Sequence, residues 1–258
     1  MPAGWWSFPD PPGTLRPPLD TDRGVARLIA DLSGAIGVPL GDDQVRLLAR
    51  YLDLVALWRR RARLTAVSDP LEAARVHVAD SLLCLRAGIP LHSTVVDVGS
   101  GAGLPGIPLL VARPDLSVTL VEPSQRRAAF LEMACGELGL AAEVVPEPAE
   151  RLGQDPRWRE AFDVAVARAV APLAVLVELV LPLVRPGGKA ILLKGAAARQ
   201  EVRQAARAVE EVGGGTPALV EASVPTGPAR TIVVIPKISP TPRRYPRRPG
   251  TPRRRPLA

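Results

Sequence analysis

The stretch from Val95 to Leu110, VVDVGSGAGLPGIPLL, decides the fold. Val95, Val96 and Val98 are β-branched and read as a buried parallel strand. Asp97 falls at its carboxyl end, and Gly99, Gly101, Gly103 and Gly106 follow. A helix is expected to begin between Leu104 and Pro108. Glycines at such a turn let the backbone approach a ligand with no Cβ in the way, and the helix start offers it unpaired N–H groups.

Two cofactors compete for this turn. Gly101-Ala-Gly103-Leu-Pro-Gly106 satisfies the dinucleotide pattern G-x-G-x-x-G, which alone is a weak signal. The longer frame, Asp97 through Gly103, looks like the first motif of S-adenosylmethionine-dependent methyltransferases, with an acid two residues ahead of the first glycine. A turn that binds nothing is the third reading. It is disfavoured because four glycines so close together destabilise a site without a ligand to justify them.

Downstream, strands and helices alternate as in a doubly wound sheet. Strands are predicted at Ser117 to Glu122, Ala142 to Val145, Phe162 to Ala167 and Ala190 to Leu193. Gln125 to Leu138 reads as a helix burying Ala129, Phe130, Met133 and Leu138. Pro172 to Val184 reads as another, stopped by Arg185-Pro-Gly187-Gly188-Lys189, and Ala198 to Val212 as a third. Leu219 to Val224 and Arg230 to Ile235, joined by a short Pro/Gly loop, are expected to pair antiparallel. The fold class is therefore α/β, a mainly parallel twisted sheet with a terminal antiparallel strand. A closing hairpin suits a methyltransferase, whereas a dehydrogenase would continue into a substrate domain.

Upstream, Met1 to Asp20 carries six prolines and breaks every period, so a disordered extension is expected, its Trp5-Trp6 pair docked or without a role. Residues 21–90 read as a helical addition. One helix shows Val25, Leu28, Ile29 and Leu32. A second, from Asp42, shows Leu47, Leu48, Tyr51, Leu52, Val55 and Trp58, with Arg59 to Arg61 in its last turn. A third covers Ala73 to Leu85, where spacing makes His77 and Asp80 a capping or packing pair. Residues 91–236 then form the central domain and 237–258 a basic tail.

The net charge of +7 over 258 residues is a property of that tail. Lys237 to Ala258 holds one lysine and seven arginines and no acid, leaving twenty-five bases against twenty-six acids elsewhere. Such a distribution suggests an anionic macromolecule as partner, nucleic acid first. No apolar run is long enough to span a bilayer and no leader pattern opens the chain, so no membrane association and a cytosolic location are expected. Cys84 and Cys135 lie far apart in helical surroundings and read as reduced, packed thiols, and with only two histidines no metal site is expected.

In an open parallel sheet the ligand lies outside the carboxyl ends of the strands. The candidates there are Glu122 for ribose hydroxyls, Ala149-Glu150 for an adenine edge, and Arg168 for a cofactor carboxylate or an RNA phosphate. Methylating a pyrimidine carbon needs a cysteine nucleophile, and neither cysteine lies at a strand end. Methylating an exocyclic amine commonly uses an Asn/Asp/Ser-Pro-Pro-aromatic turn after the fourth strand, where this chain has ARAVAP. Guanine N7 needs neither, since it attacks with a free lone pair.

From about Asp42 to Leu257 the chain resembles the bacterial small-subunit rRNA guanine-N7 methyltransferases, the glucose-inhibited division protein B family. The likeness is carried by LTAV with HVADSL, DVGSGAGLPGIP, FDVAVARAVAPL, PGGKAILLKG and KISPTPRRYPRRPGTPRRRPL. It implies a Rossmann-like fold that binds S-adenosylmethionine through Asp97, Gly99, Gly101, Gly103, Leu104, Glu122, Ala149, Glu150 and Arg168, with Arg168 as the catalytic candidate. It further implies that Lys194, Arg243, Arg244, Tyr245, Arg247 and Arg248 face RNA, Tyr245 stacking on a base and the arginines neutralising phosphates. The implied partner is small-subunit rRNA or the 30S particle, and the implied state a monomer. Glu147-Pro148, where the family often has Gly-Arg, and Arg59, where an asparagine follows the tryptophan, depart from the pattern.

Overall fold

The computed structural model describes residues 20–168 and 171–257, with side chains from Arg23 onward. The proline-rich extension with Trp5 and Trp6 falls outside them, as do Ala169 and Val170.

Two amphipathic helices open the described chain, α1 (Asp20–Ala35) and α2 (Asp42–Trp58). The buried stripe of α2 is Val45, Leu48, Tyr51, Leu52 and Val55, with Leu54 beside it, while Leu47 and Trp58 are only half-buried. Arg59 to Arg61 lie just past its end rather than in its last turn. The Gln44 side chain accepts from Gly41 N and donates to the carbonyls of Val111 and Ala112, tying α2 to the central domain. The predicted third helix is a composite. Asp69 caps α3 (Pro70–Ala73), a π-helical turn spans Ala74–Ala79, α4 is Asp80–Leu82, and a 3-10 segment, Leu83–Ala87, ends at the left-handed Gly88. Lys189 Nζ donates to the last carbonyls, Ala87 and Gly88.

The remainder alternates as expected: β1 (Thr94–Val98), α5 (Gly106–Ala112), β2 (Ser117–Val121), α6 (Gln125–Leu138), β3 (Ala142–Val145), α7 (Ala149–Leu152), β4 (Phe162–Arg168), α8 (Leu173–Val180), β5 (Val184–Lys194), α9 (Ala198–Gln204), α10 (Ala206–Glu211), β6 (Ala218–Ser223), β7 (Ala229–Pro236) and α11 (Thr251–Arg254). The seven strands are ordered β3-β2-β1-β4-β5-β7-β6, parallel except for β7, which runs antiparallel to both neighbours.

Three expectations change in detail. α6 buries Ala128, Leu131, Ala134 and Cys135 together with Phe130 and Leu138, leaving Ala129 and Met133 half-buried. The predicted Ala198 to Val212 helix breaks at Ala205. The helix expected to reach Val184 ends at Val180, and its stop signal, Arg185 to Lys189, lies within β5, which starts at Val184 rather than Ala190 and whose pairing slips from Phe162↔Val184 to Val164↔Lys189 across a bulge.

Strand residues alternate between two cores. Val95, Val118, Leu120, Val164, Val166, Ile191 and Ile232 pack with α1, α2, α5 and α6, while Val96, Val98, Ala165, Leu192, Val233 and Ile235 pack with α7 to α10. By the same parity Asp97, Arg168 and Arg230 turn toward the N-terminal helices and Lys194 turns away. The order β3-β2-β1-β4-β5 puts the point where the strand order reverses between β1 and β4, beside the glycine turn.

Candidate active site

The turn after β1 folds over the end of β2. Gly99 N and Ser100 N both donate to Val121 O, and Gly99, Gly101 and Gly103 have φ of +74°, +60° and +95°, which only glycine adopts without strain. Asp97 is fully buried, and its Oδ2 accepts from Gly106 N at 2.9 Å, the first residue of α5. A Cβ on Gly106 would lie 2.8 Å from that oxygen and 2.5 Å from Leu120 Cδ2, so this glycine is required by packing. Burial, outweighing the Gly106 N–H, pushes the Asp97 carboxyl up to about 7. Leu104 is buried in the same turn.

Glu122 is 2 % exposed; one oxygen accepts from Gly101 N and the other from Ser124 N, both at 2.9 Å. It therefore clamps the glycine turn to the start of α6. Ala149 is buried at the start of α7, and Glu150 Oε1 accepts from Gly250 N at 3.0 Å. The glycine turn and the ends of β2 and β3 thus converge on one rim of the sheet.

A neighbouring cleft of about 330 Å³ opens at the ends of β4 and β5, lined by Val76, His77, Arg168, Lys194, Glu201 and Arg230 among others. Arg168 donates from Nη1 to Val76 O and sits with Nη2 3.4 Å from His77 Nδ1. Burial lowers its pKa from the ordinary arginine value, yet guanidinium stays charged at physiological pH. Arg230 donates from Nε and Nη2 to Oδ2 of Asp80, which is 1 % exposed. Lys194, expected to face RNA, lines the cleft as half of an ion pair, its Nζ 2.6 Å from Glu201 and 2.9 Å from Ala171 O. His77 and Asp80 are not partners of one another as spacing suggested. The π turn separates their directions, His77 reaching Thr65 and Arg168 and Asp80 reaching Arg230. Sequence reading missed Arg230, Thr65 and the use of this pair. The available signal was a lone acid, Asp80, inside an apolar helical run.

Residues 237–257 are folded against the α7–α10 face. Glu178, fully buried in α8, accepts from Arg247 through its backbone N, Nε and Nη2. Tyr245 is 6 % exposed and its hydroxyl bonds to Glu211, so the expected base stacking is corrected: its ring is already packed. Arg247 is likewise committed to Glu178 and to Arg255 O. Arg243, Arg244 and Arg248 remain exposed, and the latter two line an open groove of about 700 Å³ with Glu150 and Arg151.

The chemistry of the turn fits S-adenosylmethionine. Asp97 Oδ1 is a buried acceptor with no partner, and at Gly101 a Cβ would meet only Gly99 O, at 3.8 Å, which leaves the turn open there, whereas a Cβ on Gly103 would collide with Ile107 and Leu131 of the core. Among the described residues no group of three His, Cys, Asp or Glu could hold a metal, and no helix is long and apolar enough to cross a membrane. The sheet order, its antiparallel β7 and the acid–glycine turn define a Rossmann-like S-adenosylmethionine-dependent methyltransferase. Among solved structures, cofactor-bound Rv0187 from MTB shares this fold with a TM-score of 0.53 at 18% identity, covering 75% of this chain and 90% of that one.

Residues 44–224 match the family described as rRNA small subunit methyltransferase G, or GidB. The ribosomal RNA small subunit methyltransferase G of Pelotomaculum thermopropionicum is 42% identical over 237 residues, 90% of this chain and 99% of the relative. That of Moorella thermoacetica is 42% identical over 234 residues, 90% and 98% of the two chains. The chain belongs to this family.

Proposed function

We propose that the protein transfers a methyl group from S-adenosylmethionine to N7 of a guanine in small-subunit rRNA, by direct in-line displacement without a covalent intermediate. The observation that carries this reading is the cleft at the ends of β4 and β5, which offers two arginines, one imidazole and a carboxylate, Glu201, already paired with Lys194, and no thiol. Cys84 and Cys135 are both buried elsewhere, their thiols pushed by burial up to about 12 and about 11, so neither supplies a thiolate. N7 attacks with its own lone pair and loses no proton, so alignment and electrostatics suffice. The cofactor, when bound, supplies a methyl activated by the sulfonium to which it is attached.

In this reading the main chain of Gly99, Gly101, Gly103 and Leu104 borders the cofactor, and Asp97 supplies its unpartnered oxygen to a donor on it. Glu122 takes the ribose hydroxyls and Ala149-Glu150 border the adenine. Arg168 contacts the cofactor carboxylate or an RNA phosphate and is the catalytic candidate. Arg243, Arg244 and Arg248 neutralise phosphates and thereby position the RNA, while the cleft selects the base. The working form is a cytoplasmic monomer acting on the 30S particle or its rRNA.

The test is methylation of small-subunit rRNA and of 30S particles with methyl-labelled cofactor, followed by nucleoside mass analysis. Label recovered as 7-methylguanosine is expected. Label at another nucleoside, or none on either substrate, overturns the assignment.

A further inference from the structure

We infer that His77 is a positioning residue that holds Arg168 in the cleft, acting as the neutral imidazole with its proton on Nε2 and Thr65 as its anchor. A guanidinium has only donors, so the contact of 3.4 Å between Arg168 Nη2 and His77 Nδ1 requires a lone pair on Nδ1. The ring proton therefore sits on Nε2, 3.0 Å from Thr65 Oγ1, and donates to it. Thr65 Oγ1 also accepts from Val67 N at 3.1 Å, which fixes the anchor to the loop before α3. The other guanidinium nitrogen, Nη1, is held by Val76 O one residue away, so a single π turn grips Arg168 twice. Widened turns of this kind recur at functional sites because they redirect side chains within a helix.

His77 also lines a second, largely apolar cavity of about 220 Å³ among Val25, Leu52 and Val55, in addition to the cleft. Removing the ring gives Arg168 room to swing away from the strand ends. Burial first and the Arg168 charge second lower the imidazole pKa to about 4, against the nearby Val76 backbone, which raises it, in keeping with a neutral ring.

The inference builds on the reading that Arg168 touches cofactor or substrate, and the test separates the two. His77→Leu, His77→Asn and His77→Gln are compared in wild-type and Arg168→Ala backgrounds for kcat and KM with each substrate. Leucine is expected to lower kcat/KM about tenfold or more, and asparagine, whose amide oxygen can stand where Nδ1 stands, to recover most of it, while glutamine does not. The leucine effect is expected to vanish when Arg168 is already alanine. Imidazole nitrogen shifts give a readout independent of turnover, and with only two histidines in the chain the spectrum is simple. A neutral His77 protonated on Nε2, with its Nδ1 signal moving in Arg168→Ala, is expected. An imidazolium, an Nδ1-protonated ring, or an undiminished leucine effect in the Arg168→Ala background overturns the inference. If Arg168→Ala leaves turnover unchanged, the proposed role of Arg168 falls, while the nitrogen shifts still decide whether His77 holds it. If the leucine variant does not fold, the asparagine–glutamine contrast and the spectrum decide.

Discussion

The hydroxyl of Tyr51, in the middle of α2, donates to the carbonyl of Ala102 at 2.9 Å, so a fully buried side chain of the N-terminal helices holds the centre of the glycine turn. The helical addition thus supports the turn proposed to bind the cofactor. Tyr51→Phe leaves a buried carbonyl without its donor and is expected to cost about 1–3 kcal/mol of stability. It is also expected to weaken S-adenosylmethionine binding while leaving the secondary structure intact. Urea unfolding and titration calorimetry check both; unchanged cofactor affinity sinks the clamp.

Asp97 makes stability depend on pH. Its folded-state pKa of about 7 lies above its unfolded value, so between about 4 and about 7 the folded protein binds more protons than the unfolded one. Stability is therefore expected to fall as pH rises through that window, by up to about 4 kcal/mol. In Asp97→Asn that component is absent. Parallel unfolding curves at the two ends of the window, for both proteins, measure the difference; equal slopes refute it.

Asp80 and Arg230 form an ion pair with the acid fully buried. Asp80→Ala leaves the partly exposed Arg230 guanidinium without its partner in a cleft that already holds the Arg168 charge, and is expected to destabilise by about 1–3 kcal/mol. Replacing both partners by residues of matching volume is expected to recover much of this loss. Thermal denaturation of the single and double variants decides; a double variant as unstable as Asp80→Ala refutes the pairing argument.

Glu178 is the anchor of the C-terminal segment. Glu178→Ala is expected to expose residues 237–257 to proteolysis and to reduce RNA affinity with little effect on cofactor affinity. Arg243→Ala with Arg248→Ala, by contrast, leaves the segment docked and reduces the salt dependence of RNA binding by a slope of about one to two. An unaltered slope places the RNA elsewhere.

The β-branched run at Val95 to Val98, the glycine cluster and the closing hairpin were legible because each is a local pattern with one low-energy outcome. The bounds of α6 and β3 agree with the sequence reading for the same reason. The π turn at Ala74–Ala79 was not, since a single inserted residue leaves the apolar period almost unchanged while redirecting His77. Tyr245 misled because an aromatic among arginines and prolines has the composition of a nucleic-acid contact. Only the distant Glu211, 34 positions away, reveals that it is packed. Arg230 looked like an ordinary strand residue; its partner Asp80 lies 150 positions upstream, beyond any windowed pattern.

The contacts of the C-terminal segment also impose an order in time. Arg247 meets Glu178 across 69 positions and Gly250 meets Glu150 across 100, so neither contact can form until the last residues have been made. On the ribosome, the sheet and glycine turn can form while the basic segment is still being made. The newborn enzyme is thus expected to hold its methyl donor before it can grip RNA, a sequence of competence that pulse-labelled hydrogen exchange during refolding would resolve.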